Sequence, residues 1–214
     1  QMLTFSIPLF IVAIGCMYSS RSGVINIGFD GIMIMGALTS FFFIRFTEGA
    51  MSGQSQLLIA ILISIVTGIL ISLLHAFAAI NFNADQIISG QALNMLAPAF
   101  AVFVARIILG DSIISFKNTF IINEVPLLSQ IPLIGDVLFK NAYLTTYLGF
   151  LILIVANFVL FRTRFGLRLR ACGEYPQARD SVGIDVRKMR YIGVMISGAL
   201  AGLVGWVFVM PNST

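Results

Sequence analysis

Hydrophobic residues gather along this chain in six long runs, about 2–18, 28–44, 57–80, 86–109, 143–161 and 191–210. Each is near the ~20 residues that a helix rising 1.5 Å per residue needs to cross the hydrocarbon of a bilayer. The run 57–80, "LLIAILISIVTGILISLLHAFAAI", is the cleanest. The alternating pattern of a membrane barrel is absent, so helices are the remaining way to span. The pattern predicts an all-α, polytopic transmembrane bundle of about six helices forming one domain over 1–214.

One stretch breaks the pattern. "RSGVINIGFDGIMIMGA", 21–37, sets Arg21, Asn26 and Asp30 among Gly23, Gly28, Gly31 and Gly36. An interior glycine weakens a helix by roughly 1 kcal/mol relative to alanine. Inside lipid, non-helical backbone survives only where it lines a cavity or packs in protein, and transporters use such broken helices to meet a solute. On that reading Gly23, Gly28 and Gly31 loosen the helix, and Asn26 and Asp30 supply polar groups beside a substrate path. An acid there costs at least ~2.5–3.5 kcal/mol and needs a partner or water, for which Arg21 is a candidate. The other reading is a cytoplasmic hairpin with a glycine turn.

A second polar block, "NFNADQIISGQALNMLAPAF", opens the fourth run. Gln86, Gly90 and Asn94 follow one another at four-residue steps, so they share one face, with Ser89 and Gln91 beside it. Gln86, Ser89 and Asn94 are therefore further substrate-path candidates. Amide and hydroxyl groups suit an uncharged solute rich in hydroxyls and ring nitrogens, although amide bonds between helices give the same pattern. In the last run Gly193, Ser197, Ala201 and Gly205 recur every four residues, with Gly198 and Gly202 beside them. Small residues at that spacing allow close helix packing in lipid. His75, the one histidine, is expected to be a satisfied core residue, and Trp206 an interface anchor.

Composition fits this picture. Of 214 residues, 58% are hydrophobic and 10% charged, against about 25% charged in soluble domains. Residues 162–190 carry eight basic and three acidic residues, a net of +5, whereas 111–142 has a net of −1. The positive-inside bias places 162–190 in the cytoplasm and makes 111–142 an extracytoplasmic segment, holding a re-entrant or surface element. Counting crossings back from that loop puts Gln1 outside. The excess charge lies against membrane ends with no aromatic-interleaved basic face, so no nucleic acid is expected as a partner. Cys16 falls in an apolar helix and Cys172 in a basic loop, and no disulfide between them is expected. The chain starts inside one hydrophobic run and stops after another, and a fragment lacking further C-terminal helices is expected.

Within the basic loop, "GEYPQARDSVGID" reads as a short helix, with Pro176 at its first position and Gly183 as its stop. Tyr175, Ala178 and Val182 give it a small apolar face. So short a helix gains its stability from what it packs on. A docking element and a plain surface connector are both open on these residues alone.

The run "FRTRFGLRLRACGEYPQARDSVGIDVRKMRYIGVMISGALAGLVG", 161–205, resembles the coupling-loop region of permease subunits of bacterial ABC importers in the branched-chain amino acid and simple-sugar superfamily, most closely the nucleoside permeases. "SSRSGVINIGFDGIMIMGA" and "ADQIISGQALNMLA" resemble two further blocks of that family in the same order. The resemblance implies a coupling helix from Glu174 to Gly183, seated on a cytoplasmic ABC ATPase subunit, with Arg170, Glu174, Pro176, Ala178 and Gly183 as coupling residues. It also implies a second permease subunit, identical or related, and an extracytoplasmic solute-binding protein, in the plasma (inner) membrane. Two positions depart from the family: Arg179 stands where alanine is usual, and Asp30 where glutamate is.

The expected function is therefore a non-enzymatic permease for a small polar solute, nucleosides first, with simple sugars or branched-chain amino acids as the alternative. No cofactor is expected on this chain. It lacks a phosphate-cradling G-x-x-x-x-G-K-[ST], as suits a protein whose partner binds ATP. An ion-coupled secondary transporter would want several facing carboxylates, and Asp30 and Asp85 are few. A membrane enzyme would need a nucleophile–base set or a metal cluster, and the sequence offers neither.

Overall fold

The computed structural model describes residues 2–49, 53–110, 121–124, 140–174 and 185–209. Along these the chain forms α1 (Met2–Arg21), α2 (Phe29–Phe46), α3 (Gln54–Asn81), α4 (Gln86–Leu109), β1 (Ile121–Glu124), β2 (Lys140–Tyr143), α5 (Leu144–Arg162), α6 (Arg164–Glu174) and α7 (Val186–Val209). The result is a polytopic helical bundle. Five helices are long and apolar enough to cross a membrane: α2, α3, α4, α5 from Thr145, and α7; Ser6–Arg21 of α1 is a shorter apolar helix. The six expected runs all become helices, α1 among them with 20 residues.

α7 is the hub, packing against α1, α2 and α3. Its small residues let it do so. A Cβ on Gly198 would meet the Gly68 carbonyl of α3 at 2.6 Å, and one on Gly202 would meet the Gly68 Cα at 2.9 Å. On the α2 side, a Cβ on Gly36 would reach the Gly202 Cα at 2.9 Å. Ser64 of α3 donates to the Gly202 carbonyl. Around this seam Ile7, Ile11, Phe41, Ile44, Leu57, Ile61, Val204 and Trp206 form the main core. Trp206 is fully buried and meets Phe41 edge-on, with ring centroids 5.7 Å apart. It is thus a core residue and not an interface anchor, because its helix packs against α1, α2 and α3 and the stretch Ala201–Val207 is buried throughout.

The C-termini of α1 and α5, the whole of α6 and the N-terminus of α7 meet at one end of the bundle, with the α3–α4 connection nearby. α6 was not foreseen in the basic loop. Its Gly166, Leu169 and Cys172, three residues apart, are buried, while Arg164 and Arg168 point outward. Arg170 lies over the Phe161 ring at 5.4 Å. Cys172 is therefore a buried helical thiol, and neither it nor Cys16 is in a disulfide. In the segment toward the opposite end, β1 and β2 pair antiparallel, with Ile121 opposite Tyr143 and Glu124 opposite Lys140. This short ladder was not foreseen either.

Candidate functional site

Between α1 and α2 the chain leaves the helix over Ser22–Gly28. The turn at its start needs Gly23, whose φ of +86° L side chains rarely adopt. Ser22, Val24 and Asn26 are buried while Ile25 and Ile27 are partly exposed, the alternation of an extended strap lying against other helices. Buried backbone polar groups must find partners. Here those partners are mostly side chains.

The Ile25 N–H donates to Gln86 Oε1 at 2.7 Å. The Ile25 carbonyl pairs with His75 Nε2 at 3.2 Å, and His75 Nδ1 with the Ser89 hydroxyl at 3.0 Å. A carbonyl only accepts, so the ring carries its proton on Nε2, and Nδ1 accepts a hydrogen bond from the Ser89 hydroxyl. Asn26 accepts from the Gly28 N–H at 3.0 Å and donates to Ser197 of α7 at 3.2 Å. Asn94 Nδ2 donates to the Ile27 carbonyl, and Asn94 Oδ1 accepts from the Gly31 N–H, both at 2.9 Å. Residues 27 and 31 are the i, i+4 pair that a helix would join directly. The Asn94 amide is inserted into that bond like an extra peptide group, and it ties α4 to the start of α2.

Glycines permit this approach. A Cβ on Gly31 would meet the Leu93 carbonyl at 2.6 Å, and one on Gly90 would meet the Gly28 nitrogen at 2.9 Å. Gly31 thus lies within the first turn of α2 as a contact residue and does not break the helix. Gly28 precedes it with an ordinary φ of −76°.

Asp30 follows in the first turn of α2, where the helix dipole favours a carboxylate. Arg21 does not partner it; Arg21 Nη1 pairs instead with Glu174 Oε1 at 3.2 Å. The Asp30 side chain is exposed, and among the described residues it makes no hydrogen bond or ion pair. It lines a groove of about 650 Å³ whose other walls are apolar: Met33, Ile34, Ala37, Leu38 and Phe41 of α2, Ala101 of α4, and Gly205, Phe208 and Val209 of α7. Of the substrate-path candidates, then, Asp30 faces the groove. Asn26 and Asn94 are bonded through both amide atoms, Gln86 is bonded to the strap through its Oε1, and Ser89 to the strap's support His75. His75 is the satisfied core residue expected, 1% exposed with both ring nitrogens bonded, but nothing near it in the sequence pointed to the strap as its partner. Asp85, the other acid weighed for ion coupling, caps α4, accepting from the Ile87 and Ile88 N–H groups at 2.8 and 3.2 Å.

Of the expected coupling residues, Arg170 and Glu174 lie in α6. Pro176, Ala178 and Gly183 lie outside the described residues, as does most of the short helix expected there.

The family model described as branched-chain amino acid transport system / permease component matches residues 1–212. The chain is 44% identical to the guanosine ABC transporter permease protein NupQ of Bacillus subtilis over 96% of its length, covering 65% of that relative. It is 42% identical to the nucleoside ABC transporter permease protein NupC of Lactococcus lactis over 100% of its length, covering 67% of that protein. To the putative glucose ABC transporter permease protein TsgC13 of Haloferax volcanii it is 32% identical, over 92% of this chain and 57% of the relative. The chain therefore spans about two thirds of the length of its nucleoside-permease relatives. No solved structure matches it.

Proposed function

The chain belongs to the branched-chain amino acid transport system permease family, and we propose from that premise that it is a membrane-spanning part of an ABC-type importer for nucleosides. ATP is hydrolysed on a separate cytoplasmic ATPase subunit, a second permease subunit completes the pathway, and an extracytoplasmic binding protein delivers the solute. The chain is a multi-pass protein of the bacterial inner membrane, and its basic end, with residues 162–190, faces the cytoplasm.

The observation that carries the solute class is the 44% and 42% identity to relatives named for guanosine and for nucleosides, against 32% to one named for glucose. The groove chemistry agrees with it. An apolar wall suits the face of a nucleobase, and a free carboxylate suits ring N–H or ribose hydroxyl donors. Asp30 is the solute-facing group in this reading; Asn26, Gln86, Ser89 and Asn94 border the path by holding the strap that presents it. Arg170, Glu174, Pro176, Ala178 and Gly183 belong to the ATPase-facing side.

The test is uptake of radiolabelled guanosine and uridine into proteoliposomes holding the full-length permease with its ATPase and binding protein. Uptake that needs ATP and is displaced by unlabelled nucleosides supports the proposal. Displacement by ribose, glucose or leucine alone moves the solute class to sugars or amino acids. Uptake that runs without ATP and stops when an ion gradient is collapsed replaces the ABC reading with an ion-coupled one.

A further inference from the structure

We infer that the strap Ser22–Gly28 carries movement of the α6 end of the bundle to the Asp30 groove, and that Arg21 is the positioning residue which fastens the two. The inference rests on the proposed reading that ATP acts from the basic end.

The fastening has two parts. The Arg21–Glu174 pair, at 3.2 Å, joins the last residue of α1 to the last residue of α6, 153 positions apart in sequence. Beside it two glycine backbones touch. A Cβ on Gly173 would meet the Arg21 carbonyl at 2.6 Å, and one on Gly23 would meet the Gly173 Cα at 3.3 Å. With no side chain between them, a displacement of Gly173 has no soft rotamer to absorb it. Four residues after Gly23, at Ile27, Asn94 fixes the strap to α4 at the threshold of Asp30. The strap between them is extended and is bonded along its length to Gln86, His75 and Ser197, so it moves together with these supports and passes a shift at Gly23 on to Gly28–Gly31. There the Asn94 insertion offers two arrangements. With Asn94 in place the start of α2 is open, and with Asn94 withdrawn the Ile27 carbonyl and Gly31 N–H are free to bond each other.

The ion pair itself is placed where stability explains little of it. The Arg21 and Glu174 side chains are 46% and 59% exposed, and exposed pairs add little to folding. Reversing one charge therefore tests linkage without removing the fold.

The experiment uses the complete transporter in proteoliposomes and reads nucleoside taken up per ATP hydrolysed. Arg21→Glu and Glu174→Arg are each expected to lower that ratio by about five-fold or more, the lower range of site-to-site coupling. The exchange variant Arg21→Glu/Glu174→Arg is expected to recover most of it, and Arg21→Lys to stay near wild type. A purely structural defect would lower uptake and hydrolysis together and leave the ratio unchanged. An unchanged ratio in Arg21→Glu, or an exchange variant as poor as the single reversals, overturns the inference while ATP-driven uptake by the wild type still stands. A wild type with no ATP-driven uptake removes the proposed function, and this inference with it.

Discussion

α4 and α7 are apolar helices of the same length, 24 residues, with mean hydropathy of 2.0 and 2.1 over their membrane windows. Yet 61% of the α7 window is buried within the protein and only 11% of the α4 window. Hydrophobicity does not separate them; the distribution of small residues does. In lipid there is no hydrophobic gain from bringing two apolar helices together, so association depends on how closely backbones approach and on polar bonds. α7 has Gly193, Ser197, Gly198, Ala201, Gly202 and Gly205, and it is locked by backbone contact along its length. α4 shows large side chains such as Met95, Leu96, Phe100 and Phe103 outward. It is held chiefly at its first turns, by Gln86, Ser89 and Asn94 on the strap and His75. The first interface is built to stay closed. The second depends on a few bonds that a small movement can make or break.

The most damaging way to test the contrast is Gly202→Leu. A single Cβ there already meets Gly68 at 2.9 Å, and overpacking a close-packed contact typically costs about 1–3 kcal/mol, more when the backbone must part. The expected outcome is loss of the folded, extractable protein, followed by size-exclusion profile and membrane yield, with Gly202→Ala intermediate. A Gly202→Leu protein that accumulates and melts like wild type would mean that the seam is not close-packed.

Asn94→Leu should do less to the fold and more to its working. It leaves the Ile27 carbonyl and the Gly31 N–H without their side-chain partner, and an unpaired buried group such as the Gly31 N–H costs about 1–3 kcal/mol unless the helix closes over the gap. The protein is expected to assemble with a lower melting temperature and with uptake lost. Asn94→Asp sharpens the point. Its carboxylate keeps the acceptor for Gly31 and loses the donor for Ile27, so it should fall between Leu and wild type. Equal behaviour of Asn94→Leu and wild type in both assays would remove the clamp.

Asp30→Asn touches neither interface. Its side chain is exposed, and its favourable place at a helix start is worth only about 0.3–1 kcal/mol. Melting should barely move, whereas uptake is expected to drop about ten-fold through a raised KM, the loss of one charge-assisted hydrogen bond. An unaltered KM would take Asp30 out of the solute's path.

Much of this architecture was legible in the sequence. The six hydrophobic runs match the helices to within a few residues, because a spanning helix must be apolar throughout and cannot hide its length. The small-residue spacing of 193–205 announced a close seam, and Gly23 announced the non-helical backbone after α1, whereas Gly31 proved to be a contact residue within α2. What the sequence did not reveal are pairings between distant segments. Nothing local to Asn94 says that its amide completes a bond between residues 27 and 31, or that Arg21 turns to Glu174 and leaves Asp30 to the groove. Trp206 was misjudged because position near a helix end says nothing about how many neighbours that helix has. α6 escaped because its buried face is made of Gly166, Leu169 and Cys172, too little apolar volume to stand out among arginines.

The smallest effect is expected where α7 begins. Asp185 accepts from the Lys188 N–H at 3.0 Å and pairs with its ammonium at 3.3 Å. The backbone bond, with help from the Lys188 charge, holds the carboxyl below its ordinary value of 3.8. A carboxyl whose pKa is depressed on folding contributes stability above its unfolded value, and that contribution is lost as pH falls through the folded one. Asp185→Ala should therefore melt slightly below wild type at neutral pH, and the two should converge in acid below the ordinary carboxylate range. The group is fully exposed, so the gap will be small and further reduced by salt. Thermal melting in detergent across that range measures it. A gap that persists undiminished in acid would mean that the side chain acts by its backbone propensity and not as a charged cap, whereas convergence would show that even the tightly packed helix has an end governed by the same adjustable polar bonds that hold α4.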